Sequence, residues 1–281
     1  MDIQLNYAAP DGDLREYLSV FYEFHAPVPV FEDVERADFA QIRFMLSGEG
    51  HYTFADGHEA SSAPITIVGP TTGNTRIRAT GPVRIFGAGL LPAGWGVLMG
   101  FEASTLVNRA IDATQLFGPQ LEAALADLRA ADGLEAKVAI GNRVMRALEK
   151  HVEETPIAFT RIVDQWLESA LSPDVQDLVD AVGLSRRQVE RQCKRLYGVP
   201  PKLLSRKYRA IRAATKLARG EVEMGDLIGD NFYDQSHFIR EIKQFTGLTP
   251  KKFSEDLPTL AKLTVKPAEL AGKVDPIVFQ S

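Results

Sequence analysis

One cysteine, Cys193, among 281 residues rules out an intramolecular disulfide and a zinc–thiolate cluster. No apolar stretch runs uninterrupted for the roughly 18 residues that a membrane span needs, so no membrane partner is expected. The opening Met1-Asp2-Ile3-Gln4-Leu5-Asn6 lacks a basic segment followed by an apolar one. A secretory leader is therefore not expected, and cytoplasmic residence is. Histidine is scarce, at five. His51, His58 and Glu59 lie near a Gly-rich hairpin with His25 as a further candidate, which raises a metal-dependent enzyme as the alternative. Paired His-x-His spacing is missing, however, and no second His/Glu cluster follows at 80–100, so capping or surface roles are expected and no metal. Gly87-Ala88-Gly89 is followed by neither a lysine nor an acid-bearing βαβ pattern, which leaves no cofactor expected. No Ser/His/Asp nucleophile constellation is legible, so no catalytic residue is assigned and an enzyme is not the expectation.

What is present is the composition of an ordinary globular protein, 45% apolar and 25% charged, at a length that suits two domains. The net charge of −5 speaks on its face against nucleic acid. Its distribution reverses that reading. Between Ser185 and Arg219 there are twelve Lys/Arg against one acid, Glu190, so the remainder of the chain carries −16. A local basic stripe is what meets phosphate, whatever the total.

The pattern divides the chain into a β-rich part, a helical pair and an all-helical part. Apolar runs at 39–46, 51–54, 65–68 and 83–86 stop at Ser47-Gly48-Glu49-Gly50, Ala55-Asp56-Gly57, Gly69-Pro70 and Gly87, which predicts short strands of a barrel or sandwich. Leu121, Leu125 and Leu128 then mark one helix. Leu134, Val138, Gly141, Met145, Leu148 and Val152 form a heptad-like seam on a second, able to pack on its own sheet or on a second copy of the chain. Predicted boundaries are 1–155 for a sensing or dimerisation domain (β-rich to about 104, helices at about 115–152), 156–257 for an all-α domain, and 258–281 for a tail without assigned function. Phe44, Tyr52, Phe54, Phe86 and Trp95 are candidates to line an apolar pocket in the first domain, against the plainer reading that aromatics on strands are core.

The all-α part carries the strongest signal. Ser172-Pro173-Asp174 reads as a helix start, with the Ser172 hydroxyl as cap and Pro173 at the first helical position, and Val175, Leu178, Val179 and Val182 give that helix a buried face. Gly183 supplies a turn, and Ser185 caps the next helix, whose buried positions are Val189, Cys193 and Leu196. Arg187, Glu190, Arg191 and Lys194 fall on its opposite face. Such a helix suits a DNA major groove. A shift of 49 residues repeats the unit: Ser185 falls on Asp234, Val189 on Phe238, Arg191 on Arg240, Cys193 on Ile242, Leu196 on Phe245, Gly198 on Gly247 and Pro201 on Pro250. Lys202 to Arg219 has no helix breaker and carries Leu204, Tyr208, Ile211, Thr215 and Ala218 as an apolar stripe. At about 1.5 Å per residue it forms a rod of roughly 27 Å, able to hold two recognition helices near one DNA turn apart.

Gly183-Leu184-Ser185, Arg191, Lys194, Gly198-Val199-Pro200-Pro201 and Arg209 with Ile211 resemble the first half of the AraC/XylS module. Phe232-Tyr233-Asp234-Gln235-Ser236-His237-Phe238, Arg240, Lys243 and Gly247-Leu248-Thr249-Pro250 resemble its second half. That resemblance implies a transcription regulator of α+β class, with an N-terminal cupin-like β-barrel and helical pair before a C-terminal double helix-turn-helix. Double-stranded DNA is the implied partner, with a small-molecule effector, RNA polymerase and a second copy of the chain as further candidates. By the same resemblance, Arg187, Glu190 and Arg191 read bases in one groove segment and Ser236, His237 and Arg240 in the next. Ser185, Lys194, Gln235 and Lys243 contact phosphate. Glu190 suits a cytosine amino group.

Two departures stand out. Gly229 and Asn231 occupy places where the family has Ala and Gly, and Asn is expected to preserve the turn by tolerating a left-handed backbone. The second unit is also acidic, with Asp226, Asp230, Asp234 and Glu241, which predicts a smaller share of the affinity. Gly89-Leu90-Leu91-Pro92-Ala93-Gly94-Trp95 and Leu116-Phe117-Gly118 resemble a subgroup of such regulators.

Overall fold

The computed structural model describes residues 2–149, 156–229, 231–255 and 257–265. Its first part is built on eight antiparallel strands: β1 (Gln4–Ala8), β2 (Leu18–Ala26), β3 (Val30–Glu35), β4 (Ala40–Thr53), β5 (Glu59–Ser61), β6 (Ile65–Val68), β7 (Thr75–Leu90) and β8 (Ala110–Asp112). They run in the order β1-β2-β7-β4-β6-β8, with β3 also on β7 and β5 on β4. The end strands β1 and β8 do not pair with each other among the described residues, so the expected cupin-like sheet is present but does not close into a barrel.

The long strands explain why short ones were expected. Ser47-Gly48-Glu49-Gly50, expected as a turn, lies inside β4, whose register against β7 shifts between Met45 and Ser47 and again between Ser47 and Glu49. Bulges of this kind bend a strand without ending it. The first half of β4 therefore faces β6 and the second half of β7, whereas its second half faces β5 and the first half of β7. Gly87, expected to end a strand, lies mid-strand in β7 instead. Its registered neighbours are Tyr22 on one side and Arg43 on the other. A Cβ at Gly87 would lie 2.4 Å from the Tyr22 ring, so glycine is needed to let that ring cross the sheet.

Alternation along the strands sends side chains to two faces with different covers. Phe21, Ile42, Phe44, Ile65, Ile67 and Phe86 form one face. It packs against Trp95 of α1 (Pro92–Leu98), and, beyond the short α2 (Thr114–Phe117), against Leu121, Leu125 and Leu128 of α3 (Gln120–Ala130) and Met145 and Leu148 of α4 (Gly133–Leu148). The seam of α4 is thus used within the chain, with Gly141 close against Phe21 and Phe86. Val152 lies outside the described residues.

The second part is helical: α5 (Ile157–Ser169), α6 (Val175–Val182), α7 (Arg186–Tyr197), α8 (Pro201–Ala218), α9 (Met224–Leu227), α10 (Gln235–Thr246), α11 (Pro250–Glu255) and α12 (Thr259–Val265). Two cores share α8. Leu204 and Tyr208 join Val163, Leu178, Val189, Cys193 and Leu196 in the first. Ala210, Ile211, Ala213 and Ala214 join Phe232, Phe238, Ile242 and Phe245 in the second. The cap of α6 is Asp174, whose carboxylate accepts from the Gln176 N–H at 2.8 Å, rather than Ser172. Within 258–281, expected as a tail without assigned function, Thr259–Val265 form α12, which packs against β3 and buries Leu260 among Phe24, Phe31 and Val83. The rest of that tail is outside the described residues.

Candidate nucleic-acid interface and adjoining cavity

Equivalent caps build both recognition helices. At the start of α7 the Gln188 side chain takes hydrogen bonds from the Ser185 N–H (3.0 Å) and hydroxyl (2.6 Å). At the start of α10 the Asp234 carboxylate accepts from the His237 N–H at 2.7 Å. Both helices end on a left-handed glycine, Gly198 at φ +80° and Gly247 at φ +76°. The 49-residue offset therefore holds at each end. In the turn of the second unit the left-handed residue is Gly229, at φ +103°, and not Asn231.

Val189, Cys193 and Leu196 are fully buried, which turns Arg187, Arg191 and Lys194 outward together. Burial also pushes the Cys193 thiol up to about 12, so it is inert where it sits. Glu190 is half-buried and lies 3.8 Å from Arg186, one turn before it. On α10, Gln235, Ser236, Arg240 and Lys243 are exposed. His237 is held more closely. Its Nδ1 accepts from the Tyr233 N–H at 3.3 Å, and its Nε2 lies 3.4 Å from Glu241.

Glu241 itself is buried, at 2% exposure, and receives Arg206 Nε at 2.6 Å and Arg209 Nη2 at 2.5 Å. It joins α10 to α8 and does not face outward. Asp226 and Asp234 cap helices, and Asp230 lies outside the described residues. Of these acids, Glu241 alone among the described residues is buried with an internal duty, whereas Asp226 and Asp234 remain exposed at the helix starts that they cap. The cations in the middle of α8 are likewise engaged. Beyond Arg206 and Arg209, Arg212 donates to the carbonyls of Leu167 (2.6 Å) and Ala170 (3.0 Å), and Lys207 turns into the β-rich part. The basic stripe is therefore split: α7 offers its charge to solvent, and the middle of α8 uses its own to hold the domain together.

The two parts meet through Arg36-Ala37-Asp38-Phe39, between β3 and β4. Ala37 is buried in the core of the second unit and donates its N–H to the Phe245 carbonyl at 2.6 Å. Phe39 is buried in the core of the first. Between them the Asp38 carbonyl accepts from Lys207 Nζ at 2.7 Å, with the ammonium 5.5 Å from the centre of the Phe39 ring. Burial lowers the Lys207 pKa to about 8. Asn74 adds a second grip, its side-chain amide donating to the carbonyls of Lys243 (3.3 Å) and Gln244 (3.2 Å) at the end of α10.

This junction encloses a cavity of about 180 Å³. One wall is the second face of the sheet, including Tyr22, Gln41, Arg43, Thr75 and Ile77. The other is helical, including Ile211, Ala214 and Thr215 of α8, Leu248, Phe253 of α11, and Leu260 of α12. Of the five aromatic candidates, only Tyr52 lines it. Phe44, Phe86 and Trp95 lie in the core on the opposite face, and Phe54 packs beside Tyr52 and Val68. Sequence reasoning missed the cavity's polar floor. The Arg43 guanidinium bonds both oxygens of Glu35 (2.9 and 2.8 Å) and also Gln41 (3.1 Å from Nε, 2.9 Å from Nη2). Tyr22 donates to Gln41 at 2.7 Å. Burial pulls the Arg43 pKa down, but Glu35, Tyr22 and Tyr52 outweigh it and hold the guanidinium firmly charged. The alternation placing Gln41 and Arg43 together on one face was the available signal. Among the described residues no three His, Cys, Asp or Glu side chains converge as metal ligands, and His51 simply lies 3.7 Å from Glu59.

Two recognition helices, capped alike and facing outward from paired helical cores, define a double helix-turn-helix DNA-binding protein. The profile described as "Helix-turn-helix domain" matches residues 178–256, which span the paired helical units from α6 to α11. No curated protein matches the chain significantly. Among solved structures it is similar to ToxT from Vibrio cholerae O395, at 10% identity over 84% of this chain and 99% of that one, with a TM-score of 0.45. Unsaturated fatty acid bound ToxT from Vibrio cholerae strain SCE256 matches at 9% identity, over 83% and 94% of the two chains, with a TM-score of 0.45. The AraC-like transcriptional activator CuxR matches at 14% identity, over 75% and 87%, with a TM-score of 0.31. Likeness at that level carries no argument about what this chain binds.

Proposed function

We propose that the chain is an effector-responsive regulator whose ligand occupies the cavity between sheet and helices. One observation carries this reading: Arg36, Asp38 and Phe39 line the cavity, while Ala37 and Phe39 are seated in the cores of the second and first units. A ligand that shifts this segment acts on both DNA-reading units, which is a coupling between two sites in the thermodynamic sense. On the DNA side, Arg187, Glu190 and Arg191 read one major-groove segment, and Ser236, Arg240 and His237 the next. For His237 this requires release from Glu241. Ser185, Lys194, Gln235 and Lys243 hold phosphates, which positions the helices without reading sequence.

Selection of bound sites from random DNA, followed by titration at several salt concentrations, tests the assignment. Arg191→Ala should cost about 1–3 kcal/mol on the selected site and relax preference at one base position. Lys194→Ala should weaken binding to all sequences alike and lower the salt slope by about one. An unchanged base preference in Arg191→Ala removes that residue from the reading face.

A further inference from the structure

The cavity's polar floor constrains what can enter it. Thr75 opens β7 directly opposite Glu35 of β3, so both belong to the same wall. Thr75 is 2% exposed, and its hydroxyl has no hydrogen-bond partner among the described residues. A buried hydroxyl left unpaired is costly, so one that lines a cavity marks where a ligand's polar atom belongs. Nearby, Arg43 uses Nε and Nη2 for Gln41 and Glu35, while its Nη1 makes no hydrogen bond among the described residues.

Charge at the wall is already balanced. Glu35 neutralises Arg43, Asp38 lies close enough to Arg36 to feel its field, Arg78 pairs with Glu32, and His51 sits beside Glu59. An anionic head at the free arm of Arg43 would set a second carboxylate beside Glu35 on one guanidinium, and a cationic head would approach Arg43 without a free acid. Both are expensive in a buried site. The rest of the lining is dominated by aliphatic and aromatic side chains such as Phe24, Phe31, Ile77 and Ile211. About 180 Å³ is slightly more than the roughly 150 Å³ of an apolar cavity that takes up benzene.

We infer that the cavity binds an uncharged, mainly apolar molecule of about ten non-hydrogen atoms. Its single hydroxyl or carbonyl group is held by the Thr75 hydroxyl and the free arm of Arg43. This rests on the proposal that the cavity is the effector site, and it adds the class of the effector.

Two matched series test it on the full-length protein: cinnamyl alcohol, cinnamamide, cinnamate and cinnamylamine, and the corresponding octyl compounds. Thermal shift and calorimetry should show the alcohols and amides bound at least tenfold more tightly than the charged members. Thr75→Val supplies the control that needs no ligand. It should raise the melting temperature of the free protein by about 2 °C by removing an unpaired hydroxyl, and weaken alcohol binding about tenfold. Carboxylates binding as tightly as alcohols, no binding by any member, or a lowered melting temperature in Thr75→Val each overturns the inference.

The underlying reading is tested separately by Ala214→Phe, which fills the cavity from α8 and should change affinity for selected DNA. Tight carboxylate binding that alters DNA affinity overturns the ligand class and leaves the effector site standing. Absence of binding by every probe, with unchanged DNA affinity in Ala214→Phe, overturns both.

Discussion

Lys207 shows how one side chain can serve the junction at an electrostatic cost. It is 4% exposed and donates to the Asp38 carbonyl, and burial lowers its pKa from 10.5 to about 8. The unfolded chain therefore binds more protons between pH 8 and 10.5, so this group makes folding more favourable as pH rises through that window. Below pH 8 its full desolvation cost is present. Lys207→Met removes the titrating group, together with the hydrogen bond. The stability of Lys207→Met relative to the parent should thus fall as pH rises from 7 to 10, whatever its constant offset. Urea unfolding at pH 7, 8.5 and 10 measures the difference, and a pH-independent gap would show that Lys207 does not titrate in this range.

At the scale of elements, the junction of α8 and α10 turns on Glu241. Its carboxylate is buried between Arg206, Arg209 and His237. Glu241→Gln leaves two arginines without their counter-charge and should destabilise the domain by about 3 kcal/mol in chemical denaturation. If Glu241 faced DNA, the same change would instead strengthen binding with little effect on stability. Here the sequence was informative about elements and silent about their partners. The caps Ser185 and Asp234, the glycines 198 and 247 and the buried triplets are local signals, so both recognition helices were legible with their outward faces. The bulge at 47–50 looks like a turn because Ser-Gly-Glu-Gly is turn chemistry, and only pairing with β7 keeps the strand extended. Phe44 and Arg43 are adjacent residues on opposite faces. Alternation announces two faces, but which one meets α3 and α4 and which meets α8 is decided by contacts far away in sequence. The bond from Lys207 to Asp38 spans 169 residues, beyond the reach of any local pattern.

At the scale of the whole molecule, α12 closes the arrangement by returning the end of the helical part to the sheet. The Leu260 N–H donates to the Asp33 carboxylate at 2.9 Å, and its side chain is buried against β3 and also lines the cavity. Leu260→Ala should cost about 2–3 kcal/mol, and should widen the cavity so that bulkier members of a ligand series gain affinity. Calorimetric melting and a ligand-size series check the two effects separately. A stability loss without any change in size preference would mean that α12 braces the sheet without shaping the site.

The segment Arg36–Phe39 has a consequence for dose and response. One short stretch is seated in both helical cores, so a ligand that shifts it reaches the two units at once. On the proposed function, one occupied cavity per chain acts on both reading heads together, so each chain should titrate with its effector as a simple hyperbola. A steeper curve in transcription would then point to coupling between chains on the DNA.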